Sequence, residues 1–275
     1  MALSIDRGWS PERSKWSLLL GACQTFGVDA PDGRGLAGAV VLTRWGPDLA
    51  SVGMMLVAAR YGRRGLGRGL MEHVIAEAGD ATVTLFATDL GRPLYEQLGF
   101  APVRRSVSFV GAFRPGPAGA SAPAGFTRAA TEADLPAILA VDRAAFGADR
   151  GQIVSRLPGF ADRIAVLADD PHRVDDPHRG IRGYAAAWRN TPSSTVIGPL
   201  IAPDAQAAQR LIIDLAAYAH GTLRLDLDPD RPELPAWAVR HGLEPASRTI
   251  VMAHGNLVDR GTPDRLFTPI SVALA

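Results

Sequence analysis

The stretch from Val57 to Leu70 reads Val-Ala-Ala-Arg-Tyr-Gly-Arg-Arg-Gly-Leu-Gly-Arg-Gly-Leu. An apolar strand-like run, Ser51–Val57, enters it, and a helix-like run, Leu66–Ala78, leaves it. Between them lie Gly65, Gly67 and Gly69, interleaved with Arg63, Arg64 and Arg68. Glycine lets backbone N–H groups approach a ligand closely, and a helix start carries partial positive charge. Arginine adds fork-shaped donors. This is the composition of a loop that holds a diphosphate, and it commits the chain to a fold mixing strands with helices.

At 275 residues the chain can hold one large or two modest domains. Basic and acidic residues number 29 and 28, so no polyanionic partner such as nucleic acid is implied. Lys15 is the only lysine; the remaining basic charge is arginine. The single cysteine, Cys23, excludes an intrachain disulfide and a multi-cysteine metal site. Leu20-Gly21-Ala22-Cys23 loosely resembles a bacterial lipoprotein cleavage site. However, Asp6 and Glu12 precede it and its apolar run is short for a signal. No run approaches the roughly 20 apolar residues of a membrane span. The expectation is a cytoplasmic protein with no membrane partner.

Residues Arg114–Gly125 are rich in Pro, Gly, Ala and Ser and read as a linker between a unit at 1–113 and another at 126–275. In the first, helices are expected at Pro11–Cys23, Leu66–Ala78 and Arg92–Leu98. Strands are expected at Phe26–Asp29, Leu36–Thr43, Ala50–Val57 and Thr82–Thr88, with Val103–Val110 beginning a hairpin. The second unit repeats the order. Strand Phe126–Ala129 leads to a helix capped by Thr131 and Asp134 and ending at Phe146; a helix at Gln152–Leu157 follows. Next come strands Arg163–Leu167, Gly183–Trp188 and Thr195–Ile201, helix Ala205–Ala219, strand Leu223–Leu227, helix Pro235–His241 and strand Thr249–Ala253. The order implies two copies of one α+β unit. The tandem Asp-Asp-Pro-His-Arg at 169–173 and 175–179 reads as a duplicated polar loop rather than a metal site.

A second motif joins the loop: Gly91-Arg92-Pro93-Leu94-Tyr95-Glu96-Gln97-Leu98-Gly99-Phe100. The loop resembles that of the GNAT acyltransferases, which use acetyl-CoA, and this motif resembles their Tyr-x-x-x-Gly-Phe helix end. Their separation by helix and strand also fits, and the likeness covers about residues 26–110. It implies an α+β fold layered α/β/α, with tandem GNAT-like units, each a mixed, mostly antiparallel sheet flanked by helices. It further implies acetyl-CoA as co-substrate, no metal, and a small-molecule amine acceptor, with a homodimer left open.

The resemblance also implies site residues. Strand Ser51–Val57 would splay from Thr82–Thr88, leaving a gap for the pantetheine arm. Backbone groups at Leu56 and Val57 would bond it like an added strand. The loop residues Arg63, Arg64, Gly65, Leu66, Gly67, Arg68 and Gly69 would hold the diphosphate, with the first glycine to meet it left between Gly65 and Gly67. A neutral amine would attack the thioester while the Tyr95 phenol protonates the departing thiolate. Strand Ser51–Val57 carries no Asp or Glu. Asp89 and Asp48 are substitutes for a base there, and a water chain to solvent is an alternative.

The chain departs from the pattern in two places. The family's first strand and most of its first helix are missing before Trp9. In the second half Ala202-Pro203-Asp204 stands where the glycine–arginine loop should be, and Ala238 takes the position of Tyr95. Pro203 lacks a donor and Asp204 repels phosphate. The second unit is therefore expected to be a degenerate copy that completes an acceptor pocket or forms an interface. Trp188, Tyr184 and Asp226 are candidates to face such a pocket, with core or surface roles as the alternative. The leading expectation is an N-acetyltransferase with an active first unit. The alternatives are a non-catalytic acyl-CoA sensor or scaffold, and an enzyme using a hydroxyl acceptor or a longer acyl-CoA.

Overall fold

The computed structural model describes residues 1–116, 126–168, 180–256 and 260–274. The first elements are α1 (Ala2–Asp6), α2 (Arg13–Ala22), β1 (Gln24–Asp29), β2 (Leu36–Arg44), β3 (Leu49–Val57) and α3 (Leu66–Ala78). They are followed by β4 (Thr82–Ala87), α4 (Arg92–Gln97), β5 (Ala101–Gly111), β6 (Phe126–Ala129), α5 (Leu135–Phe146), α6 (Gly151–Val154) and α7 (Leu157–Phe160). Then come β7 (Arg163–Ala168), β8 (Ile181–Thr191), β9 (Ser194–Ile201), α8 (Ala205–Ala216), β10 (Thr222–Leu227), α9 (Glu233–Arg240), β11 (Glu244–His254) and β12 (Leu266–Thr268).

Two compact units result. Unit 1 comprises Met1–Arg104, Thr249–Val258 and Val272–Ala275; unit 2 comprises Arg105–Arg248 and Asp259–Ser271. These boundaries differ from the predicted 1–113 and 126–275, because β5 and β11 each change unit in mid-strand. Of the predicted linker, residues 117–125 lie outside the described residues, as does the whole tandem repeat at 169–179.

In unit 1 the strand order is β1-β2-β3-β4-β11. All neighbours are antiparallel except β3 and β4, which run parallel. Val40, Leu42, Ala50 and Val52 form one core with Leu70, Met71 and Val74 of α3. On the other face the indole N–H of Trp45 donates to the Ser51 hydroxyl at 3.1 Å. Helix α3 spans the predicted residues because a glycine stands at each end: Gly65 caps it at φ +81° and Gly79 stops it at φ +66°. The apolar run before Cys23 is packed into α2, where Leu19 is fully buried and Trp16 donates to the Ser4 hydroxyl.

In unit 2 the order is β5-β10-β9-β8-β7-β6, with β12 paired to β9. Strands β9 and β10 are the parallel pair here. Of the hairpin predicted to begin at Val103–Val110, no second arm occurs among the described residues. Strand β5 pairs antiparallel with β10 instead, Phe109 opposite Leu225, because both strands feed apolar side chains to the same core. Residues 151–160 form two short helices, not one, since Pro158 has no N–H to continue the first. The Thr131 cap forms as a capping box: the Thr131 N–H donates to Asp134 at 2.7 Å. Burial opposes ionisation of Asp134, but the Arg128 guanidinium and the Thr131 donors outweigh it and hold the pKa below its ordinary value.

Tyr184, Trp188 and Asp226 are all buried. The Tyr184 hydroxyl donates to Asp142 at 2.5 Å, Asp142 also accepts two bonds from the buried Arg150, and Asp226 accepts from Ser108 and Arg224. These side chains belong to the packed interior.

Candidate active site

Pairing between β3 and β4 begins at Leu49–Thr82 and ends at Val52–Leu85. Beyond Val52, β3 continues to Val57 with no ladder on that side, so the two parallel strands splay. The unpaired edge of β3 offers the N–H and C=O groups of alternate residues, Val57 among them; those of Leu56, predicted to bond the pantetheine arm, point the other way, toward Ala39 of β2.

A bulge re-aims this part of β3. Val41 pairs with Gly53 and Ala39 with Leu56, so β3 carries one extra residue. The extra residue is at Met54, whose φ of +50° is rare for a side chain of its size. Before the bulge Ala50 and Val52 face α3; after it Met55 and Val57 do.

The chain leaves β3 with the Ala59 N–H donating to Asp6 at 2.6 Å. It then turns through a short 3-10 helix, Ala59–Tyr61, into the arginine–glycine loop. Positive φ at Arg63 and Gly65 brackets Arg64, an alternation that turns successive N–H groups toward one side as an anion-binding concavity. Gly65 is the helix cap, and its carbonyl accepts the Gly69 N–H at 3.0 Å. The N–H groups of Leu66, Gly67 and Arg68 open the helix ahead of that bond and find no partner among the described residues. A Cβ on Gly67 would meet Met55, Val57 and Leu94 at 3.5–3.6 Å, so Gly67 marks where α3 rests on the splayed strand. Gly65 thus starts the helix, and Gly67 supplies one of its free donors.

The arginines divide in two. Arg60 pairs with Asp32 at 3.2 Å and donates to the Arg34 carbonyl, while Arg68 donates to Gln97 at 2.6 Å and lies 3.7 Å from Glu72. Arg63 and Arg64 are exposed with no ion-pair partner among the described residues; Arg64 lies over the Tyr61 ring at 5.7 Å. They are the cations this loop has available.

Tyr95 sits on α4 in the core cluster that includes Leu85 and Ala87, at the splayed end of β4, and is 8% exposed. A Cβ on Gly91 would come within 3.0 Å of its ring and 3.4 Å of its hydroxyl, so Gly91 makes room for the phenol. Burial pushes the phenol pKa up to about 12. Asp89 is exposed in the turn after β4, at the same end of that strand. Asp48 is exposed before the start of β3, where its carbonyl accepts the Thr82 N–H, at the far end from the splay. No group of three or more metal-ligating side chains occurs among the described residues, and no described helix is long and apolar enough to cross a membrane.

A family model described as an acetyltransferase (GNAT) domain matches residues 25–102, and a second of the same description matches residues 138–267. The chain belongs to the GNAT family.

Among curated proteins, this GNAT chain is 30% identical over 190 residues to an uncharacterized N-acetyltransferase of Bacillus subtilis, YitH. That alignment takes in 68% of this chain and 63% of the relative's length. The fold is shared with a putative acetyltransferase from Pyrococcus horikoshii (TM-score 0.75, 17% identity, 95% of this chain and 84% of the other). It is also shared with a GCN5-related N-acetyltransferase from Sphaerobacter thermophilus (TM-score 0.60, 20% identity, 86% and 82%). A tandem GNAT protein from the clavulanic acid biosynthesis pathway shares the fold as well (TM-score 0.55, 16% identity, 86% of this chain and 85% of the other).

The second GNAT unit has the scaffold with different contents. Pairing of β9 with β10 ends at Val196–Arg224, so a splay opens there too. Strand β12 fills it, with Leu266 opposite Ile201 and Thr268 opposite Leu200, and the Thr268 hydroxyl donates to the Ile197 carbonyl at 3.2 Å. The edge that stays open on β3 is therefore taken on β9 by the chain itself. Asp204 caps α8 by accepting the Ala207 N–H at 2.8 Å, which places a carboxylate where unit 1 has free donors. Sequence reasoning missed β12 because three residues carry no readable period.

Proposed function

We propose that unit 1 transfers an acetyl group from acetyl-CoA to a small primary amine, and that unit 2 binds no CoA. The observation that carries this reading is the open edge of β3 leading directly into free helix-start donors flanked by Arg63 and Arg64. A pantetheine arm extends like a strand with amide groups at intervals, and a diphosphate needs N–H donors and cations at its end.

The amine's lone pair forms a bond to the thioester carbonyl carbon as the carbon–sulfur bond breaks. Tyr95 stays protonated throughout the physiological range, so it serves as an acid and not as a base. Low-dielectric surroundings that raise the phenol raise the thiol of the leaving group as well, which keeps transfer between them matched. The amine's own proton passes to solvent or to Asp89 at the mouth. The open-edge backbone groups of Val57 orient the arm, and Arg63 to Gly69 hold the diphosphate.

Thiol release from acetyl-CoA, screened over amines, amino acids and aminoglycosides, tests the activity. A protein that binds acetyl-CoA in calorimetry but releases no thiol with any acceptor would instead be a sensor, a reading favoured by the lack of Asp or Glu on β3.

A further inference from the structure

Gly53 is the first residue of β3 beyond its last pair with β4. Its side-chain position points away from α3, on the face that carries Ser51. A Cβ built there would lie 2.0 Å from the carbonyl oxygen of Ala273 and 2.8 Å from its carbonyl carbon. Both are backbone atoms, so no side-chain rotation relieves the overlap. Residue 53 has to be glycine for residues 272–274 to keep their place. Those residues group with unit 1, and Ala273 and Leu274 are buried.

We infer that residues 272–274 form the acceptor-side wall of the unit 1 cleft, limiting the bulk of the amine admitted and keeping water from the thioester. This rests on the reading that acetyl-CoA lies in the splay between β3 and β4. The loop and α3 occupy one face of the splayed strand, as the contacts of Gly67 with Met55 and Val57 show. An acceptor therefore reaches the carbonyl carbon from the Gly53 face, where the segment lies. Val272, Ala273 and Leu274 carry no charge, so the wall selects by size and shape rather than by ionic pairing.

A loosened wall admits water. Its oxygen bonds to the thioester carbonyl carbon, the carbon–sulfur bond breaks, one water proton goes to sulfur and the other to solvent, giving acetate and free CoA thiol. Two variants disturb the wall from opposite sides. Gly53→Ala forces the segment off β3, and Leu274→Ala removes a buried anchor. Three measurements apply to each: calorimetric titration with acetyl-CoA, thiol release without amine, and thiol release with ethylamine, benzylamine and naphthylmethylamine.

The expected result is acetyl-CoA affinity close to that of the unsubstituted protein, several-fold faster amine-free thiol release, and a shift of about tenfold in relative kcat/KM toward the bulkier amines. Where no amine of the series is a substrate, the amine-free rate decides. Should Gly53→Ala fail to fold, Leu274→Ala and the milder Val272→Ala carry the test. Folded variants that bind acetyl-CoA normally yet keep the original hydrolysis rate and amine profile overturn the wall alone. An unsubstituted protein that does not bind acetyl-CoA overturns the cleft reading, and the wall with it.

Discussion

The N–H of Leu243 donates to the carbonyl of Ala238 at 3.0 Å, the same bond at the same length that Phe100 makes to Tyr95. The glycines before them also match, with φ of +87° at Gly242 and +85° at Gly99. Two helix ends of one construction thus differ at one position, a phenol in one unit and a methyl in the other. Chemistry that depends on Tyr95 has no counterpart in unit 2.

Replacing Tyr95 with Phe keeps the ring and its packing against Phe100 while removing the proton donor. Turnover is expected to fall by about a hundredfold with acetyl-CoA affinity preserved, the range for loss of a general acid. Steady-state kinetics beside calorimetry check it; equal turnover would remove Tyr95 from the mechanism.

Tyr95 also links stability to pH. Its folded pKa, about 12, lies above the ordinary 10.0, so the folded state holds the proton more tightly. The contribution is complete below pH 10 and is lost as pH rises toward 12, roughly 3 kcal/mol in all. Urea unfolding at pH 9 and pH 11.5 should show a fall that Tyr95→Phe makes smaller, the remainder belonging to groups such as the buried Tyr184, whose phenol is also raised by burial.

Gly67→Glu separates the loop's binding role from its folding role. A Cβ at Gly67 makes only ordinary contacts, and an acid in the first helical turn is favourable to the helix. The variant is expected to lose acetyl-CoA binding by repulsion, and a melting scan beside the titration separates that loss from the cost of placing a carboxylate near Met55, Val57 and Leu94. Retained affinity would show that the diphosphate sits elsewhere.

The arginines should rank by their present partners. Arg63→Ala and Arg64→Ala each remove a cation with no ion-pair partner among the described residues, and each is expected to weaken acetyl-CoA binding by roughly tenfold, the scale of a charge-assisted hydrogen bond. Arg68→Ala, whose guanidinium already serves Gln97 and Glu72, should cost less. Calorimetry at two salt concentrations tests the ranking, with the larger salt dependence belonging to the first pair.

Asp142 is bonded by both Arg150 and Tyr184, and all three are buried. Asp142→Ala leaves a guanidinium without its counter-charge and should cost about 3–5 kcal/mol of stability. Chemical denaturation measures it; a change below about 1 kcal/mol would mean that water reaches Arg150.

Local punctuation made much of this fold legible. Gly65 and Gly79 bound α3, Thr131 and Asp134 announced the capping box, and the apolar runs located the strands to within a few residues. The bulge at Met54 was not legible, because one extra residue leaves an apolar run looking unchanged. Nor could the sequence divide the arginines, since the partners of Arg60 and Arg68 are Asp32 and Gln97, each more than a helix length away along the chain. The hairpin expected after Val103 is not found among the described residues, and for a similar reason: β10, with which β5 pairs, lies far downstream.

Strand β11 adds a requirement in time. The free edge of β4 is closed only by Ile250 to His254, so a nascent chain emerging from the ribosome shows that edge bare while all of unit 2's helices are still being made. An unpaired strand edge invites pairing with other chains. Synthesis of this protein therefore passes through an aggregation-exposed interval whose length is set by the distance between Ala87 and Ile250, and holdase chaperones should matter most during that interval.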